Sequence, residues 1–254
     1  MSVELKSKVK SSGSIAEVAL FLGKAGVPLN EKIYLRVKKL ITSYPKIPLF
    51  TLAIVESLIW ARYAKDRKHF FDLAINYLIG GEEQIFNKIN DLAWRFGPEK
   101  LKAVLESWKI LINKLEISKI LHLFSPKQLF TFQQNALNEA ANLYKIKKIP
   151  QIGAWIFCGP FKIISAYRKD LWNDLDLDEI WMPLGFQVVR GLRFLKQKGY
   201  DIPIELLKEE EPGLLEGMGT VMIAQNLQKH FAKLAKTRLL HINSGLFQLG
   251  EEKD

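Results

Sequence analysis

Cysteine is almost missing from this chain. Cys158 is the only one in 254 residues, which excludes an internal disulfide, a zinc cage of several thiolates and a four-cysteine iron–sulfur cluster. The four histidines, His69, His122, His230 and His241, have no metal-ligand spacing, and no Ser-His-Asp or P-loop pattern accompanies them. The expectation is a protein with no metal and no cofactor. Long apolar runs are missing as well. The most hydrophobic stretch, residues 49–61, is too short to span a bilayer and contains Glu56. Residues 1–13 hold lysines and serines around no uninterrupted apolar centre, so they do not read as a secretory signal. A cytoplasmic protein without a membrane partner is expected.

Acidic residues are also in deficit. Against 27 Asp and Glu stand 37 Lys and Arg, for a formal net charge of +10. That excess favours a polyanionic partner, nucleic acid first, or an anionic membrane surface. A Lys- and Glu-rich surface with few thermolabile residues also suits a thermophilic habitat, which would account for part of the charge. With 48% apolar residues the chain can bury a sizeable core, as one large domain or two tightly packed lobes, and a monomer is expected.

Apolar residues recur every three or four positions almost throughout, and alternating β-branched runs are few, so the fold is expected to be all-α. Ser14 is placed to cap a helix over 14–23 and Asn30 a second over 30–43, before Pro45 and Pro48. Residues 49–61 read as a buried central helix. Asp66 opens a helix to residue 78 with Phe70, Leu73, Ala74 and Tyr77 on one face. Gly97-Pro98 and Ser125-Pro126 mark two further starts, with proline in the first turn where its missing N–H costs nothing. The second of these helices should end near residue 144.

Beyond it the pattern predicts a turn over 145–153, a helix to about 169, an acidic loop over 170–179 and a helix over 186–198. A turn at Gly199 and a last long helix from 212 or 213 to near 241 complete the chain. There is no repeat of fixed period and no flexible linker. Residues 1–13 read as a frayed basic arm and 14–254 as the helical domain. If it has two lobes, the segment around 115–150 joins them.

Two short motifs carry the functional signal. Ile149-Pro150-Gln151-Ile152-Gly153-Ala154-Trp155 follows a basic run of Lys145, Lys147 and Lys148. Such a turn exposes consecutive backbone N–H groups at the start of the next helix, a geometry that holds phosphate. Thirty positions on comes Met182-Pro183-Leu184-Gly185-Phe186-Gln187-Val188-Val189-Arg190.

Across residues 126–198 this pairing resembles the helix-hairpin-helix superfamily of DNA base-excision glycosylases, and the spacing from Trp155 to Gly185 is similar to that in the archaeal 8-oxoguanine glycosylase branch. The resemblance implies a two-lobed helical fold, duplex DNA as partner and cleavage of an N-glycosidic bond. It implies that the hairpin backbone holds a DNA phosphate. In the bifunctional members a lysine attacks the sugar, and an aspartate at the start of the next helix stabilises positive charge or activates the nucleophile. Here Trp155 stands at the lysine position, as tryptophan does in several monofunctional members, and Gly185 stands at the aspartate position. Gln151 replaces the hairpin's first glycine. Carried over residue by residue, the DNA-binding set is Lys148, Gln151, Ile152, Gly153, Ala154, Trp155 and Arg190.

Other candidates are weighed on their chemistry. Lys162 lies two turns after Trp155 and would serve as a displaced amine nucleophile if buried near the cleft; a solvated or phosphate-binding lysine is the commoner case. Asp174, Asp176, Asp178 and Glu179 would supply a carboxylate or bind a divalent cation, against the simpler reading of a solvated acidic loop; Asp178 is the catalytic candidate among them. Trp60, Trp94, Trp108, Trp155, Trp172 and Trp181 include possible platforms for an extruded base, although most such residues are core. Lys229, Lys233 and Lys236 form either a phosphate-facing stripe or a solvated face.

The resulting expectation is a DNA glycosylase-like protein of base-excision repair, a hydrolase if active. Two alternatives stand beside it: a catalytically silent DNA-binding relative, and a helical protein-interaction module.

Overall fold

Residues 49–60 carry one charge among twelve positions, and a segment that apolar is stable only when surrounded. In the structure, a computed structural model describing residues 2–11, 13–60, 66–81, 83–93, 97–115, 125–147, 154–171, 179–203 and 218–251, they form such a helix. The first four helices are α1 (Ser2–Ser11), α2 (Ile15–Ser43), α3 (Leu49–Trp60) and α4 (Arg67–Leu78). Then come α5 (Glu83–Asn90), α6 (Gly97–Lys114), α7 (Pro126–Lys147) and α8 (Ala154–Tyr167), followed by a 3-10 turn at Lys169–Leu171. The chain closes with α9 (Phe186–Gln197), α10 (Met218–Leu234) and α11 (Leu239–Leu249). The described residues are helical with no strand, so the all-α expectation holds.

Every residue of α3 from Leu49 to Ile59 is buried. Phe50 organises the surroundings: its ring meets Trp108 of α6 at 5.8 Å, Phe132 of α7 at 4.8 Å and Phe161 of α8 at 5.1 Å, each edge-on. Such tilted aromatic pairs add to the burial of large apolar area. Asp66 caps α4 as expected, accepting from the backbone N–H groups of Lys68 and His69. Ser125 and Gln128 close a reciprocal cap at the start of α7.

A second buried cluster gathers Val18 and Leu22 of α2, Val188 and Leu192 of α9, Phe231 of α10, and Ile242 and Leu246 of α11. Helices α2 and α11 meet closely because glycine faces backbone at two crossings. A Cβ on Gly26 would lie 1.8 Å from the His241 carbonyl oxygen, and one on Gly245 would lie 2.1 Å from that of Leu22. Phe247 packs against both clusters.

Three expectations about the elements are corrected. The N-terminal stretch is not frayed: residues 2–11 are helical, and Leu5 and Val9 are buried in the second cluster. Asn30 caps nothing, because α2 runs unbroken through Pro28, which costs one intrahelical bond. Its side chain is spent on α11 instead, donating to the Leu240 carbonyl at 3.3 Å and to His241 Nδ1 at 2.9 Å. The last long helix is two, because Lys236 takes a positive φ of 48° between α10 and α11.

Candidate functional site

The second motif enters the fold as a non-helical segment over residues 181–185, ahead of α9, and its buried backbone groups must find partners. Two glutamines supply them. Gln133 of α7 brackets Trp181, accepting from its N–H at 2.8 Å and donating to its carbonyl at 3.1 Å. Gln225 of α10 accepts from Met182 N–H at 3.1 Å and donates to the Ile180 carbonyl at 2.9 Å. The segment is thereby fixed, and with it the start of α9, where Gly185 occupies the cap position with no side-chain hydrogen bond.

Beneath that start lies a cavity of about 90 Å³, between the two buried clusters. Leu29 and Ile33 of α2, Ser57 and Trp60 of α3, and Gly159 and Lys162 of α8 form one side. Pro183, Gly185 and the first turn of α9 form the other, with Asn243 and Phe247 of α11. The volume exceeds the space one water needs by several-fold.

Lys162 is the one charged side chain among the described lining residues, and it is only 8% exposed. Burial in this apolar setting pulls its amine down to about pKa 7. Its Nζ donates to Asn243 Oδ1 at 2.8 Å. Asn243 is itself locked: its Nδ2 donates to the Pro183 carbonyl at 2.9 Å and to Gln228 Oε1 at 2.8 Å. Both amide protons being committed, only the oxygen is left to face Lys162.

Trp60 is set at the rim by a buried acid. Its Nε1 donates to Glu56 Oε1 at 2.9 Å, and Glu56, 3% exposed, also accepts from Arg36 Nε at 3.3 Å on both oxygens. The approach of α8 to α3 depends on Gly159, whose Cβ would stand 2.9 Å from Ser57 Cβ. Cys158 beside it is fully buried, which pushes its thiol well above the usual range and leaves it unreactive.

Of the residues singled out from sequence, Gly185 and Lys162 come together at this cavity. The commoner expectation for Lys162, a solvated or phosphate-binding lysine, is therefore corrected: α8 turns it inward, away from solvent. Arg190 is half-buried on α9, its guanidinium 3.7 Å from the Phe186 ring centre. Ala154 and Trp155 open α8, while α7 runs on to Lys147, so Lys145 and Lys147 are helical and the expected helix end near residue 144 is corrected. Lys148, Gln151, Ile152 and Gly153 lie outside the described residues, as do Asp174, Asp176 and Asp178. Glu179 pairs with Lys229 at 3.0 Å and Asp170 with Arg168 at 2.8 Å. Trp108 is wholly buried and Trp181 half-buried, so of the tryptophans with described side chains only Trp60 reaches the cavity.

Among the described residues no group of three or more His, Cys, Asp or Glu is placed to hold a metal ion, and no helix is long and apolar enough to cross a membrane. Sequence reading missed Asn243, Gln228, Gln225 and Gln133. The only sequence signal they offer is amide side chains on otherwise apolar helix faces, where a partner is obligatory once buried. No family model, curated protein or solved structure matches this chain.

Proposed function

We propose that this protein binds duplex DNA in the manner of a helix-hairpin-helix glycosylase, receives an extruded base in the cavity under Gly185, and, where active, hydrolyses its N-glycosidic bond. The observation that carries the reading is the cavity itself. The residue at the motif's aspartate position caps the helix that roofs it, and α8, which begins directly after the hydrophobic-Pro-x-hydrophobic-Gly sequence, supplies its floor with Gly159 and Lys162. Trp60 and Phe247 offer flat apolar surfaces to a ring that has left the base stack. The net charge of +10 suits the phosphate backbone.

In hydrolysis the bond from the sugar C1′ to the base nitrogen breaks, the base leaves with the electron pair, and water adds to the cationic sugar. A carboxylate or the DNA phosphates stabilise that charge. No acidic residue lines the cavity among the described residues, and Gly185 supplies none. That observation favours the second reading, a DNA-binding relative that performs no chemistry.

Duplexes carrying alkylated, deaminated or oxidised bases separate the two. An active chain releases free base and leaves an alkali-labile abasic site. Gly185→Asp restores a carboxylate at the helix start, where the helix dipole favours negative charge, and is expected to raise release. If neither the native chain nor this variant releases base while both bind DNA, the hydrolase reading fails and the binding-protein reading stands.

A further inference from the structure

Asn243 meets Lys162 with an acceptor and nothing else. Both of its amide protons are taken, by the Pro183 carbonyl at 2.9 Å and Gln228 Oε1 at 2.8 Å, so its Oδ1 is all that faces Lys162 Nζ, at 2.8 Å. An uncharged amine carries two N–H groups and one lone pair, and the Asn243 bond engages one N–H and leaves the lone pair alone. Its other close neighbour among the described residues is the Phe247 ring, 5.8 Å from Nζ, and a ring face donates no proton to a lone pair.

Geometry and solvation keep that lone pair available. Lys162 lines the cavity of about 90 Å³ and shares its walls with the apolar Leu29, Ile33, Trp60 and Phe247. The ionisable groups around α8 are settled elsewhere: Glu56 of α3 with Arg36 and Trp60, Glu31 of α2 with Lys169 at 2.9 Å, and Asp170 with Arg168 at 2.8 Å. His241 of α11, lowered to about pKa 4, is uncharged at neutral pH. Burial alone brings the amine to about pKa 7, so about half of it is in the neutral, nucleophilic form at that pH. A solvated lysine is neutral to less than about one part in a thousand there.

We propose that Lys162 Nζ forms an imine with a short aliphatic aldehyde or ketone held in this cavity. The lone pair adds to the carbonyl carbon, and the C–O bond of the resulting carbinolamine then breaks; both nitrogen protons leave with the oxygen as water, so nothing is oxidised or reduced. On taking up one proton the imine regains an N–H for Asn243 Oδ1, whose dipole stabilises the new positive charge. The apolar walls cover the alkyl body. The volume, below the roughly 150 Å³ of an engineered apolar cavity that admits benzene, limits that body to a few carbons. The residue is not the one at which the glycosylase resemblance places a nucleophile, which is Trp155 here, and the inference holds whether or not the chain binds DNA.

Treatment of the full chain with propanal and cyanoborohydride at pH 7, followed by peptide mapping by mass spectrometry, tests it. The hydride reduces the imine to a stable secondary amine, so each adduct marks the lysine that formed it. Lys162 is expected to carry the adduct at least about tenfold more than any other lysine, and to lose that preference in chain unfolded by guanidinium chloride. Pyrenecarboxaldehyde, too large for the cavity, is expected to leave Lys162 unmarked. Adduct spread evenly over the lysines, a preference that survives unfolding, or marking of Lys162 by the bulky aldehyde overturns the proposal. A duplex with an abasic site supplies an aldehyde fixed to DNA; trapping at Lys162 by that duplex and not by propanal overturns the small-carbonyl site as well. Duplex affinity and base release decide the DNA reading separately.

Discussion

Lys162 on α8 donates to Asn243 Oδ1 on α11 across 2.8 Å, and Asn243 cannot turn away because Pro183 and Gln228 hold both of its amide protons. These bonds tie together four pieces of chain: α8, the segment before α9, α10 and α11. They also bury an amine that water would otherwise keep charged.

The amine makes stability depend on pH. Its folded pKa, lowered to about 7 by burial, lies below the 10.5 of the unfolded chain. Between these values the unfolded state binds the extra proton, so stability rises with pH; below pH 7 both states are protonated and the full cost of the buried charge is felt. Urea unfolding from pH 7 to about 8.5 is expected to show this rise in the native chain and its loss in Lys162→Met. The window stops there because buried Cys158, its thiol raised, contributes the opposite slope once the unfolded thiol ionises. A slope that persists in Lys162→Met would mean the amine titrates normally.

On the acid side the relevant group is His241. Burial, assisted by the charge of Arg238, lowers it to about pKa 4 from 6.5. Its Nδ1 accepts from Asn30 and so must be unprotonated, while Ser244 Oγ donates to Asn30 Oδ1 at 2.8 Å. Stability from this group is present above pH 6.5 and is lost as pH falls towards 4. His241→Asn keeps an acceptor but removes the titration, and is expected to flatten that limb. Asn30→Ala at pH 7 is expected to cost about 2 kcal/mol, since it leaves buried partners unsatisfied; a cost near zero by urea unfolding would contradict the network.

Helix contact through glycine gives a purely steric prediction. Gly26→Ala places a methyl 1.8 Å from the His241 carbonyl oxygen, on backbone that cannot yield locally. A loss on the order of 3 kcal/mol is expected, at the upper end of overpacking costs, with the far-UV helical signal retained. Gly219→Ala, where a Cβ meets nothing within 4 Å, is the control and should change little.

Legibility in the sequence followed the range of the forces involved. Helix α3 was readable because one charge in twelve residues leaves no exposed face, and α4 because Asp66 caps it within its own first turn. Asn30 misled because a short polar residue ahead of an apolar-periodic run is the local signature of a helix cap, whereas its partners Leu240, His241 and Ser244 are more than 200 residues away. The break between α10 and α11 was invisible for a related reason: the left-handed residue is Lys236, where glycine or asparagine is the usual signal. Gly185 could be placed at a helix start from its motif. That Lys162 and Asn243 would meet beneath it is a tertiary fact, set by helices joined only through the cores.

The claim that this chain is a DNA-binding, glycosylase-like protein is tested most directly by its affinity for duplex DNA as a function of salt. Phosphate neutralisation releases counterions, so the account predicts measurable binding at low salt and a logarithmic affinity that falls linearly and steeply with the logarithm of salt concentration. Binding that is absent at low salt, or that stays flat as salt rises, would contradict it.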